Sequence, residues 1–232
     1  NRWTRFVVVQ GSAVTGIFGC VLPVCAQRFV RSNAKTMQPT HAIVIFVDVR
    51  SMTQWMSGIA SVDMLDDFLT SFYALIRTQF VGVHFNGLGD GAVLVQCEPV
   101  PPHRSATEAL LLQVLSRVAA VEQGFASICH TVELHSGHST RLRLGWGITR
   151  GMVHVLAQQQ EFLGMVINEA SRLCSLARPY GVVIDREDFP SLPLLSGLPF
   201  KFTTTTRVLD GMSVRMPFWV SQSVHHSEGA RL

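Results

Sequence analysis

No two cysteines of this chain form a CxxC pair, and the five present, Cys20, Cys25, Cys97, Cys129 and Cys174, are odd in number. That argues against a disulfide scaffold and a standard zinc site, and fits a reduced, cytosolic-facing domain. Charge is also scarce. Asp, Glu, Lys and Arg make up 15% of the 232 residues, and the Lys and Arg behind a formal net charge of +3 are scattered rather than clustered. Without a basic patch, nucleic acid is not an expected partner. Low charge combined with 47% hydrophobic residues rules out a disordered chain, and the length suits one ordinary domain plus an appendage.

Formal charge is missing altogether from residues 6–26, which are flanked by Arg2 and Arg5 before and by Arg28, Arg31 and Lys35 after. A run of about 20 apolar residues is long enough to cross a bilayer. Gln10, Gly11, Ser12, Thr15, Gly16, Gly19 and Pro23 temper it, so a membrane anchor, a signal-like segment and a buried docking segment all stay open. Residues 32–40 are polar and suit a linker. The expected division is an apolar segment with linker over 1–40, a domain over 41–221 and a tail over 222–232.

The domain is organised around residues 81–97, VGVHFNGLGDGAVLVQC. Two runs of β-branched and apolar residues, 81–85 and 92–95, flank Asn86-Gly87-Leu88-Gly89-Asp90-Gly91, the pattern of a strand, a tight glycine-rich turn and a returning strand. Glycine permits positive φ and close backbone approach, so Asp90 presents a carboxylate with little bulk around it. Upstream, HAIVIFVDVR over 41–50 is a buried strand that ends in a second carboxylate, Asp48. A carboxylate at the end of such an apolar run is costly unless it is solvated, paired or bound to a metal.

Ser51-Met52-Thr53 follows as a helix start whose free N–H groups suit a phosphate. Apolar residues at helical spacing then predict amphipathic helices over 62–80 and 105–125. Residues 129–140, with His130, His135 and His138, read as a polar connection whose histidine spacing matches no standard metal site. Residues 141–148 and 152–156 read as a strand pair around a Thr149-Arg150-Gly151 turn. A helix over 166–177 follows, ending before Pro179, and strands are expected over 181–185, 201–206 and 214–220. On that helix Asn168 and Arg172 are four apart and share a face.

FVDVRSMT, GLGDG, GWGITRGMV and GMVINEASRLCSLARPYGVVID, in this order, resemble the class III nucleotidyl cyclase catalytic domain over residues 42–220. The resemblance implies an α+β fold with a ferredoxin-like βαββαβ core, working as a homodimer with composite active sites at the subunit interface. It implies that Asp48 and Asp90 hold two divalent metal ions, Mg²⁺ or Mn²⁺, for a nucleoside triphosphate substrate. It also implies that Asn168 positions the ribose and that Arg172 stabilises charge on the α-phosphate, both from the other subunit, so that one protomer alone is inactive. A GGDEF-type turn is absent, which disfavours a diguanylate cyclase.

The chain departs from the family at the base-selecting positions. Adenine-selecting members carry Lys where this chain has Asn86 and Asp where it has Glu161; guanine-selecting members carry Glu and Cys. Leu163 replaces the aromatic residue usual beside Gly164. The phosphate-binding lysine expected near Asp210-Gly211 is missing, with Arg207 or Arg215 as substitutes. The Asn86 amide can satisfy the O4 and N3–H edge of uracil or the N4 and N3 edge of cytosine, and Glu161 can accept from cytosine or guanine amines. A complete catalytic set with non-purine base positions, on a compact chain carrying no recognisable regulatory domain, resembles the pyrimidine cyclases of bacterial anti-phage Pycsar systems. That implies cyclic UMP or cyclic CMP acting on a separate effector protein. An adenylate or guanylate cyclase of ordinary signalling and a silent, nucleotide-binding pseudo-cyclase are the alternatives.

Overall fold

A computed structural model describes residues 38–58, 61–99, 104–137, 140–156, 161–192, 197–208 and 215–221. The apolar run 6–26, the tail 222–232, His138 and the Asp210-Gly211 neighbourhood lie outside the described residues.

The centre of the sheet is β1 (Gln38–Arg50), whose side chains alternate between two apolar environments. Ile43, Ile45, Val47 and Val49 face one core, while Ala42, Val44 and Phe46 face another. A strand buried on both faces needs cover on both. After α1 (Met52–Met56) the first face is covered by α2 (Val62–Gln79) and, after the hairpin β2 (His84–Gly87) and β3 (Gly91–Cys97), by α3 (Arg104–Ser136). The other face takes α4 (Met165–Leu176), which follows β4 (Arg143–Leu156) and β5 (Glu161–Leu163). Strands β6 (Gly181–Asp185), β7 (Thr203–Val208) and β8 (Arg215–Ser221) complete a sheet of order β2-β3-β1-β4-β6-β8-β7, with β5 paired to β4. β1 is antiparallel to both β3 and β4, and β2 to β3, which is the βαββαβ ferredoxin-like core; β6 joins β4 in parallel.

Local expectations change outside the hairpin as follows. Thr149-Arg150-Gly151 is not a turn: β4 runs unbroken, and these residues pair with Val44, Ile43 and Ala42 of β1. Their polar groups have partners that a sequence does not reveal. Thr149 Oγ1 and the Arg150 amide both donate to Asp188 Oδ2 at 2.7 Å, and Arg150 pairs with Glu98 at 2.6 Å. Residues 129–136 are not a connection but the last turns of α3, because Cys129 and Val132 extend the buried stripe of Val118, Val121 and Phe125. Finally, β1 already begins at Gln38, with Pro39 and Thr40 paired to His154 and Val153, so the end of the expected linker is strand. Among the described residues only Arg104–His135 has the length and hydropathy of a membrane span, and its Leu111, Val114, Leu115 and Val118 are fully buried in the core.

One buried acid makes the fold sensitive to pH. Trp146 Nε1 donates to Glu122 Oε1 at 2.8 Å inside the first core, and burial pushes the Glu122 carboxyl up to about 7. A carboxyl whose folded pKa exceeds its unfolded value binds protons more tightly when folded. Stability is therefore lost as pH rises from about 4.5 to about 7. Glu122→Gln keeps an acceptor for Trp146 and removes the charge. Above pH 7 the variant is expected to be more stable than the parent by roughly 2–3 kcal/mol, and near pH 4 about equal to it. Thermal unfolding across that range reads the difference; a parallel pH profile for the two proteins would refute it.

Candidate active site

The two carboxylates singled out in the sequence meet at neighbouring strand ends. Asp48 of β1 stands opposite Gly91 of β3 and Gly145 of β4. Asp90 is clipped beside it, its carbonyl accepting from the Val49 amide at 2.9 Å. The approach depends on Gly91, where a Cβ would lie 2.6 Å from the Val47 carbonyl oxygen. The turn itself is Leu88-Gly89-Asp90, with Gly89 at φ 75°, and Tyr73 braces it by donating its hydroxyl to the Gly89 carbonyl at 2.5 Å. Asn86 and Gly87 were expected in that turn but belong to β2. Asn86 pairs with Val93, which also faces Phe46, so it shares a sheet face with Phe46 and Asp48 and is exposed there.

A buried arginine connects Asp48 to a cavity with further positive charge. Arg50 Nη1 donates to Asp48 Oδ2 at 2.6 Å, and Arg50 Nη2 donates to the Cys174 carbonyl near the end of α4. Arg50, Ser51, Arg141, Arg143, Pro179 and Tyr180 line a cavity of about 370 Å³. Burial pushes the Asp48 carboxyl up, Arg50 pulls it down, Asp90 pushes it up again and Arg178 pulls it down, for a net rise. Asp90 is thus close enough for its charge to be felt at Asp48, the arrangement that a hard divalent cation relieves. Two carboxylates from converging strands fit such an ion, although one oxygen of Asp48 already carries a guanidinium.

Ser51 precedes α1 with φ 65°, a left-handed conformation that costs a non-glycine residue energy. Met52 is buried in the core, while Thr53 is exposed; of the three residues only Ser51 lines the cavity. Glu161 and Leu163 are exposed at the two ends of β5. β5 comes close to β2 through His84 and Phe162, whose rings are 4.6 Å apart, so Asn86 and Glu161 stand on adjoining segments. On α4, Val166, Ala170, Leu173 and Cys174 are buried, leaving Asn168 exposed and Arg172 half-buried. The helix presses on β4 at Gly147, where a Cβ would lie 2.1 Å from the Ala170 carbonyl oxygen. Among the described residues no hydrogen bond or ion pair joins Asn168 or Arg172 to Asp48 or Asp90. Arg207 and Arg215 occupy the β7-β8 edge, beyond β4 and β6 from β1. The arginines whose charge acts on Asp48 are Arg50 and Arg178, neither singled out in the sequence although both lie within the quoted motifs; the signal for Arg50 was its place two residues after Asp48.

No family model matches the chain, and no curated protein matches it by sequence. Solved structures do match by fold. The adenylyl cyclase CyaB from P. aeruginosa is similar at a TM-score of 0.64 and 17% identity, over 83% of this chain and 98% of that one. The guanylyl cyclase Cya2 is similar at 0.63 and 14%, over 83% and 96%. The catalytic core of a rhodopsin-guanylyl cyclase with converted specificity, in complex with ATPalphaS, is similar at 0.54 and 16%, over 80% and 97%. The chain has the fold of class III cyclase domains.

Proposed function

We propose that this chain is a nucleotidyl cyclase that converts a nucleoside triphosphate to a 3′,5′-cyclic nucleotide and pyrophosphate. The observation that carries the proposal is the meeting of Asp48 and Asp90 beside an arginine-lined cavity, on a fold shared with adenylyl and guanylyl cyclase domains. In the reaction the ribose 3′-oxygen attacks the α-phosphorus, its proton leaves to solvent, and the bond from the α-phosphorus to the bridging oxygen breaks to release pyrophosphate. A divalent cation held by Asp48 and Asp90 would neutralise the triphosphate and favour ionisation of the 3′-hydroxyl. The arginine cavity supplies charge of the sign and a volume of the size that a polyphosphate tail requires, with Ser51 in its lining and Met52 and Thr53 following at the start of α1. Asn168 and Arg172, facing away from their own α4 core, serve the ribose and the α-phosphate of a site completed by a second copy.

The base is proposed to be a pyrimidine, because Asn86 and Glu161 offer neither of the purine-selecting pairs. A site whose buried polar groups are left unpaired by the wrong base loses about 1–3 kcal/mol for each, or roughly tenfold per 1.4 kcal/mol. Asn86 complements uracil unaided, so UTP is favoured slightly over CTP. The product would act on a separate effector as a signal in bacterial anti-phage defence. Incubating purified protein with Mn²⁺ and each of the four ribonucleotides, then identifying products, is expected to give cyclic UMP or cyclic CMP at least about tenfold faster than a purine product. A clear purine preference would sink the base assignment and leave the cyclase standing. A second reading, a silent nucleotide-binding domain, is favoured by the guanidinium already seated on Asp48. Nucleotide binding without any product would select it.

A further inference from the structure

One of the two oxygens of Asp48 is already taken by a cation that belongs to the protein. Arg50 Nη1 lies 2.6 Å from Asp48 Oδ2, and the arginine side chain is only 8% exposed. This is a built socket and not a surface arm folded over the site. Arg50 Nη2 donates to the Cys174 carbonyl and lies 3.4 Å from its sulfur, and Cys174 Sγ in turn donates to the Gly145 carbonyl at 3.1 Å. The space that holds the guanidinium exists because residue 145 is glycine: a Cβ there would lie 2.2 Å from Nη2 and 2.3 Å from Nε. Strands β1 and β4 and helix α4 thus all contribute to holding this charge beside Asp48.

We propose that Arg50 is a resident cation of the site, and that each protomer binds one divalent ion, at Asp90 and the free oxygen of Asp48, with the guanidinium standing in for a second. With Oδ2 held by the guanidinium, Asp48 keeps a single oxygen for a metal, so the pair of carboxylates lacks the bridging oxygen that a second ion would share. The proposal rests on the cyclase reading for the choice of ion and of nucleotide. Its geometry is the chain's own.

The test counts ions and does not need turnover. Wild-type protein saturated with 3′-deoxy-UTP, or with 3′-deoxy-CTP where that binds better, is titrated with Mn²⁺ and followed by electron paramagnetic resonance. One ion per nucleotide with the spectrum of an isolated Mn²⁺ is expected. Arg50→Met, checked for folding by thermal unfolding, is expected to take a second ion and to show the spin coupling of a pair. Gly145→Ala is an independent variant that keeps the arginine but displaces its far end from the socket, and it is expected to behave like Arg50→Met. Without nucleotide, both variants should bind Mn²⁺ at least about tenfold more tightly than wild type, because Asp48 is freed. Two coupled ions in the wild type would overturn this inference while leaving the cyclase reading intact. Variants that change neither count nor affinity would also overturn it. One bound ion with no product from any ribonucleotide would do the reverse, sinking the cyclase reading and leaving Arg50 as assigned.

Discussion

Asp90→Ala is expected to reduce cyclic-nucleotide formation by about a thousandfold or more, the equivalent of roughly 4 kcal/mol of transition-state stabilisation, while the protein stays folded. The side chain of Asp90 is half-buried at a turn whose shape is held by backbone contacts, Val49 N to Asp90 O and Leu88 N to Gly91 O, and by Tyr73. None of these needs the carboxylate. Asp48→Ala should be as damaging to activity but not as harmless to the fold. It leaves the buried Arg50 guanidinium without the only anionic partner it has at hydrogen-bond distance among the described residues, and stranding one member of a buried pair costs a few kcal/mol, about 3–5 in fully buried cases and less here because Asp48 keeps partial access to water. Asp48→Asn, which retains an oxygen for Arg50, is expected to melt closer to wild type and to be as inactive. Activity assays beside thermal unfolding separate the two effects. Substantial turnover by a folded Asp90→Ala protein would remove the metal role from this residue.

The contrast between these two aspartates shows what a sequence can display and what it cannot. Asp48 and Asp90 were legible because an acid at the end of an apolar strand and an acid among glycines are both local anomalies, and the chain order of the motifs joined them. The amphipathic helices α2 and α4 were legible from spacing, and the alternation of β1 between two cores followed from its continuous apolar run. What failed depended on partners far along the chain. Thr149 and Arg150 look like a turn until Asp188 and Glu98 are seen to satisfy them. The last turns of α3 look polar until the core beneath Cys129 and Val132 is seen. Arg50 looks like an ordinary residue after a strand until Gly145 and Cys174 are found around it, 95 and 124 positions away in sequence. Periodicity reports which face is buried; it carries no information on which distant side chain shares that face.

Mixing inactive Asp90→Ala protein with inactive Arg172→Ala protein is expected to restore activity to about one quarter of wild type at equal proportions. If subunits exchange at random, half of the dimers are mixed, and each mixed dimer has one site with every group and one site with two defects. The physical case for such sharing lies on the surface of a single protomer. Arg172 and Asn168 project from the side of α4 away from its buried residues and make no bond to the aspartates of their own chain. Beside them, Met152 of β4, Leu163 of β5 and Met165 of α4 are at least half exposed, with 50%, 50% and 76% of their surface open. They are neighbours in space: Leu163 follows Phe162 along a strand paired to β4, and a Cβ on Gly164 would lie 2.8 Å from the Met152 carbonyl oxygen. Large apolar side chains gathered beside two polar residues that have no hydrogen-bond partner among the described residues are what a second copy would cover, bringing its own Asp48 and Asp90 to this face. Sedimentation at the assay concentration should show a dimer, and mixing labelled proteins should show exchange. Proven exchange with no recovered activity would mean that Asp90 and Arg172 do not serve a shared site.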